Sequence, residues 1–188
     1  MKKSFAITLI IAVLLAMSAL VAACGGGSDS SSGPGTTQTG GGQVLPVAEN
    51  PIKNNSAAPG LTITAALVED NFDPQTKKSI PDCLQVELKN TGSQAMSSLE
   101  IFYRMTDATT GTSENYYQKL DGLSLNPGET RTIFFDNGMA PGHYPENKYS
   151  IYRTSKNEVI FSVEVSAPGF KPATVEAKKA PGTGEQQD

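Results

Sequence analysis

Between Leu61 and Val165 apolar and polar residues alternate with a period of two, the spacing that buries one face of a pleated strand and wets the other. Leu61, Ile63, Ala65 and Leu67 alternate with Thr62 and Thr64 in a first predicted strand. Leu84, Val86 and Leu88 alternate with Gln85, Glu87 and Lys89 in a second, closed by Asn90-Thr91-Gly92-Ser93. Leu99, Ile101, Tyr103 and Met105 form a third, closed by Asp107-Ala108-Thr109-Thr110-Gly111. Residues 116–120 read as a short edge strand. Leu123 and Leu125 lead into Asn126-Pro127-Gly128-Glu129, a turn in which proline pre-sets φ and glycine tolerates a positive one. Residues 130–135, 148–153 and 159–165 complete a set of about seven. Nowhere does an apolar face recur at helical spacing for three turns. Short strands punctuated by turns predict an all-β fold, an antiparallel β-sandwich over residues 61–166.

The start of the chain follows a different rule. Lys2 and Lys3 give a positive beginning, and Phe5 to Leu20 is an apolar run broken only by polar Thr8 and Ser18. Val21-Ala22-Ala23-Cys24 then places small residues before a cysteine, as in the lipobox of exported lipoproteins. Residues 1–23 are read as a signal peptide, cleaved between Ala23 and Cys24. The resemblance implies a diacylglyceryl thioether and an N-acyl (palmitate-type) chain on Cys24. An ordinary secretory signal and an uncleaved membrane span are the rival readings, since the apolar run is near the ~20 residues that a spanning helix needs. The abrupt change to Gly25-Gly26-Gly27-Ser28 argues against both, because no basic or aromatic flank marks a membrane exit.

Residues 25–43 are almost wholly Gly, Ser, Thr, Gln and Pro, with Asp29 the only charge, a composition that buries too little apolar surface to order itself. Extended to residue 60, this stretch predicts a flexible linker with an r.m.s. span of roughly 35 Å. Residues 167–188 are expected to be a disordered C-terminal tail.

Within the strand region, "LQVELKNTGSQAMSSLEIFYRMTDATTG" and the following "LSLNPGETRTIFF" resemble bacterial immunoglobulin-like modules of the FxLYD and CARDB kind. Asn90, Gly92, Asp107, Gly111, Pro127, Gly128 and Glu129 carry the likeness. These residues sit at turns and strand ends, so they speak for a scaffold and carry no catalytic role across. The resemblance implies adhesion, assembly or substrate presentation outside the cytoplasm, with a protein or an envelope polymer as partner.

Charge and composition narrow the choice further. The formal net charge is −4, and removing Lys2 and Lys3 with the signal takes it to about −6, with no basic cluster to hold nucleic acid. Of the two cysteines, lipidation claims Cys24, which leaves Cys83 as a free thiol packing like a small apolar side chain. A Cys24–Cys83 disulfide is the rival pairing in an oxidising compartment. Serine hydrolase motifs, phosphate-binding glycine loops and zinc-ligand spacings are missing, and no enzyme and no cofactor beyond the lipid is expected. The single histidine, His143, lies in Pro141-Gly142-His143-Tyr144-Pro145 and reads as an exposed loop residue, with a Cys83–His143 nucleophilic pair the alternative. Asp70 and Asp73 offer oxygen ligands for calcium but without the twelve-residue loop register. Met96, Met105, Met139 and His143 are soft copper ligands without a paired motif.

Alternation also predicts what faces outward. If Leu99, Ile101 and Tyr103 point into the core, Phe102 points out, and the same rule turns Tyr152 and Ile160 outward on neighbouring strands. Together they predict an apolar patch for a partner. The alternative is that Phe170, Pro172 and Val175 of the tail cover it.

Overall fold

The computed structural model describes residues 44–68 and 84–182. Among the described residues, eight strands are set in two four-stranded sheets, with one short helix. The first sheet runs β1 (Leu61–Val68), β2 (Leu84–Asn90), β5 (Thr130–Phe135) and the two-residue β6 (His143–Tyr144). The second runs β4 (Ser113–Lys119), β3 (Glu100–Asp107), β7 (Val159–Ser166) and β8 (Ala173–Lys179). Every pairing is antiparallel except β5 with β6. The sheets do not close on each other as a barrel; they enclose a core between their inner faces, as the alternation predicts.

Tyr103 sits at the centre of that core. Its ring stacks on Tyr116 at 5.4 Å and on Phe161 at 6.5 Å within its own sheet. It meets Phe135 of the opposite sheet edge-on at 5.7 Å. Val86, Leu88, Ile101, Ile133, Val159 and Val165, all fully buried, fill the space around the rings. Aromatic pairs in these geometries add about 0.5–1.5 kcal/mol each beyond the area they bury.

The residues that carry the family likeness meet one another in space. The Asn90 side chain is buried and donates to the carbonyls of Gln94 and Leu125, at 2.8 and 2.9 Å, while its Oδ1 accepts the Gly92 amide. Its backbone N–H donates to the Glu129 carbonyl, and its own carbonyl accepts the Gly128 amide. One asparagine thus clasps the turn after β2 to the Pro-Gly turn before β5, where Gly128 adopts φ +78°. Asp107 works similarly at the end of β3. One carboxylate oxygen accepts the amides of Thr109 and Thr110, and the other takes Ser155 Oγ at 2.6 Å and Asn157 Nδ2 at 2.9 Å.

Four elements differ from the sequence reading. In β1 the register shifts between Ile63 and Ala65, and the extra residue of this bulge inverts the alternation. Leu61 and Val68 are buried while Ala65 and Leu67 face solvent, so Ala65 and Leu67 do not share a face with Leu61. Residues 148–153 form no strand; Ile151–Thr154 is a single helical turn, α1, which lets Tyr152 and Arg153 both turn inward. The expected tail is ordered over Ala173–Lys179, which completes the second sheet as β8 with Val175 opposite Val163.

The fourth correction concerns residues 44–60, expected as linker. They lie on the domain as a strap. The Val47 amide donates to Asn115 O on edge strand β4, Asn50 Nδ2 reaches Glu164 of β7 at 2.9 Å, and Asn54 Nδ2 donates to Ser166 Oγ and to the Ala167 and Phe170 carbonyls. The strap ends at Gly60, where a Cβ would stand 2.7 Å from the Phe170 ring. Side-chain amides fix this segment, and periodicity analysis does not register them.

Asn90→Ala removes three side-chain hydrogen bonds and leaves the Leu125 carbonyl with the Met96 amide alone. We expect a loss of about 3 kcal/mol, read as a lower urea midpoint at unchanged slope. A loss below about 0.5 kcal/mol would show that the turns hold without the clasp.

Candidate functional site

The long connection from β5 to β7 carries the densest polar chemistry among the described residues. Asp136 follows β5 directly, and both of its carboxylate oxygens lie 2.9 Å from His143 Nδ1. The imidazole stacks on Phe134 with ring centroids 4.8 Å apart and 17° between planes. Gly138 lies so close to this pair that a Cβ there would fall 2.6 Å from Nδ1. His143 is therefore a held, three-quarters-buried ring, not the exposed loop residue its surroundings in the sequence predict. A carboxylate on Nδ1 fixes the ring's orientation and favours an N–H there, leaving Nε2 as the working nitrogen.

Further along, the connection folds over the inner face of β4, where the sequence places polar rather than apolar residues. Gln118 Nε2 donates to the Pro145 carbonyl at 2.8 Å, Asn147 Nδ2 to the Tyr116 hydroxyl at 3.1 Å, and the Ile151 amide to Glu114 Oε2 at 3.1 Å. Tyr116 in turn donates to Glu114. Glu146 and Arg153 form a buried ion pair, with Asn137 supporting both the Glu146 side chain and its amide. Lys179 at the end of β8 donates to the Tyr152 and Ser155 carbonyls and lies 5.9 Å from the Tyr152 ring centre.

This environment shifts several groups. Burial, followed by the nearby Glu146 charge, pushes the Tyr103 hydroxyl far above its ordinary value. Burial likewise raises Tyr116, with the bond to Glu114 second, and Tyr117 is pushed up to about 12 by burial and its bond to Glu100. Burial raises Glu146 to about 7, outweighing Arg153. Asp107 moves the other way, held well below the usual carboxylate range by the Ser155 hydroxyl and the Thr110 amide.

The predicted apolar patch does not assemble. Tyr152 is 1% exposed and packs edge-on against Phe161. Its place in α1, where neighbours do not alternate, turns it inward. Phe102 and Ile160 do lie on the outer face of the β3–β7 pair, both half-buried. The Arg104–Ser162 rung separates them, since Phe102 stands opposite Glu164 and Ile160 opposite Thr106. Phe102 instead neighbours Tyr117 across the strand and lines an open groove with Ser162, Glu164, Thr174 and Glu176. The strap reaches this face through Asn50, and the C-terminal residues pair as β8 rather than lying over it.

The remaining candidates separate. Cys24, Ala23, Cys83, Asp70 and Asp73 lie outside the described residues. Met96 and Met105 are buried in the core, while Met139 is 89% exposed, so these methionines form no common copper site with His143. Among the described residues no group of three or more His, Cys, Asp or Glu is placed to hold a metal, and no helix is long and apolar enough to cross a membrane.

Sequence reasoning missed both Asp136–His143 and Glu146–Arg153. Each pair is seven residues apart, and the clue was the density of Asn, Gly and Pro between residues 136 and 147, which marks a folded loop.

No family model and no curated protein matches this chain. Among solved structures, the ApaA protein of Bordetella pertussis aligns at 18% identity and a TM-score of 0.38, over 66% of this chain and 96% of its own. The alkylpurine DNA glycosylase AlkC of Pseudomonas fluorescens, bound to DNA containing an abasic site analogue, aligns at 16% identity and a TM-score of 0.35, over 65% of this chain and 32% of its own. Likenesses at this level carry no function across.

Two carboxylates set opposite pH responses. Glu146 has a raised folded pKa, so the folded state holds the extra proton between the ordinary carboxylate value and about 7, and stability falls as pH rises through that window. Asp107 has a lowered one, so its contribution is present above the ordinary value and lost on acidification below it. We expect the thermal midpoint to drop between about pH 5 and pH 8, a loss on the order of 2 kcal/mol, and Glu146→Gln to flatten that limb. An unchanged slope in Glu146→Gln would assign the response to other groups.

Proposed function

We propose that this chain is an exported lipoprotein: acyl chains on Cys24 hold it at the cell envelope, and its β-sandwich serves as a non-catalytic binding or assembly module. The observation that carries this reading is the succession of Lys2-Lys3, an apolar run, Val21-Ala22-Ala23-Cys24 and a Gly/Ser-rich segment. Two or more acyl chains, at ~0.8 kcal/mol per buried methylene, make such an anchor effectively permanent. With Gly25 after the cysteine, the outer membrane is the destination in a two-membrane envelope and the outer face of the cell membrane in a one-membrane envelope.

The fold supports the second half of the proposal. The order β1-β2-β5 in one sheet and β4-β3-β7-β8 in the other corresponds to strands A-B-E and C′-C-F-G of an immunoglobulin-like sandwich. The residues that resemble the FxLYD and CARDB modules are spent on turn clasps, which leaves loops and sheet faces for a protein or envelope-polymer partner. With residues 44–60 docked on the domain, the proposed spacer reduces to residues 25–43.

Metabolic labelling with palmitate tests the anchor. The label should enter the full chain, and mass spectrometry should find a mature N-terminus at a diacylglyceryl-modified Cys24. Cys24→Ala should abolish labelling and accumulate unprocessed precursor. An unlabelled, freely soluble mature protein, or a mature N-terminus elsewhere, would refute it.

A further inference from the structure

Beside the Asp136–His143 pair, the turn after β4 and the connection between β5 and β6 frame a cleft of about 200 Å³. That is smaller than the roughly 300–1,000 Å³ of sites for drug-sized ligands, so it admits one small molecular unit. Asp121, Arg131, Thr132, His143 and Tyr144 line it.

The cleft carries both signs of charge beside a held imidazole. Asp121 and Arg131 carry opposite signs, and among the described residues they make no ion pair with each other. Both act on the hydroxyl of Tyr144, which burial raises first, Asp121 raises further and Arg131 lowers. Tyr144 itself donates to the Asp121 carbonyl at 3.4 Å, which ties the two sides of the cleft together. Arg131 is engaged by Glu129 through Nε at 2.8 Å, and among the described residues nothing bonds its two terminal nitrogens. His143 is held from behind by Asp136 and from one face by Phe134, and its Nε2 has no partner among the described residues.

A small cleft lined by an acidic and a basic residue that do not pair with each other is complementary to a molecule bearing both opposite charges. A ligand with both charges can meet Asp121 and the terminal nitrogens of Arg131 at once, which a neutral or singly charged one cannot. We propose that this cleft binds a small zwitterion of the α-amino-acid class, its ammonium toward Asp121, its carboxylate toward Arg131 and the His143 ring as a further polar contact. The proposal rests on the binding half of the function given above and not on the lipid anchor. It concerns the loop end of the sandwich, away from the Phe102 face.

Nuclear magnetic resonance on the isotope-labelled full chain in detergent micelles tests it, with L-alanine as probe. Propionate and propylamine, each lacking one of alanine's charges, are the controls. Alanine should shift the Gly122 and Gly142 amides and the His143 ring with millimolar affinity. Each control should bind at least about tenfold more weakly, and Asp121→Asn and Arg131→Gln should each cost alanine about tenfold, with core resonances around Tyr103 unmoved. Absence of shifts at those positions, equal binding of propionate or propylamine, or full affinity in either variant would overturn the proposal. Palmitate labelling would be untouched by that failure, so the anchor and the cleft are judged separately.

Discussion

The structure depends on one ring being shared between two sheets. Tyr103 stacks within its own sheet and reaches across to Phe135, so neither sheet buries its inner face without the other. A sheet with one apolar face must bury that face against another layer, and the second sheet supplies the surface. Burying a phenol at that point carries a condition, because its oxygen must find polar company. Gln118, on the inner face of β4, bonds it, and the Glu146 carboxylate lies near enough to act on it through charge.

Around this centre the irregular parts are fixed by side-chain amides and carboxylates. Asn90 joins two turns, Asp107 closes another, and Asn50 and Asn54 bind the strap to the second sheet. The connection from β5 to β7 lies over β4 where the first sheet offers only the two-residue β6. The same connection holds His143 beside a small cleft. Scaffold and candidate site are thus one piece of structure. The strap also meets the β4 edge, where the Val47 amide bonds the Asn115 carbonyl.

Strand positions were largely legible in the sequence because a period-two spacing of apolar residues runs through β2, β3, β5 and β7, where Val86, Tyr103, Ile133 and Phe161 are buried and their neighbours are more exposed. The β1 bulge was not, since one inserted residue changes the facing of Ala65 and Leu67 without changing their hydrophobicity. β8 was hidden because Lys178 and Lys179 read as tail, although the Lys179 ammonium is buried on backbone carbonyls. The Phe102, Tyr152 and Ile160 patch failed twice: a helical turn obeys no alternation, so Tyr152 went to the core, and the Arg104–Ser162 rung separates Phe102 from Ile160. The His143 site was invisible because its partner Asp136 is brought to it by a loop.

The central claim is that strap, sandwich and β8 make one cooperative unit around Tyr103. Amide hydrogen exchange on the full chain measures this directly. Amides of β3 and β7 should exchange only through global opening, and those of Val47 in the strap and of β8 should be protected well above random-coil rates. Random-coil exchange throughout residues 44–60 and 173–179, beside a protected centre, would contradict it.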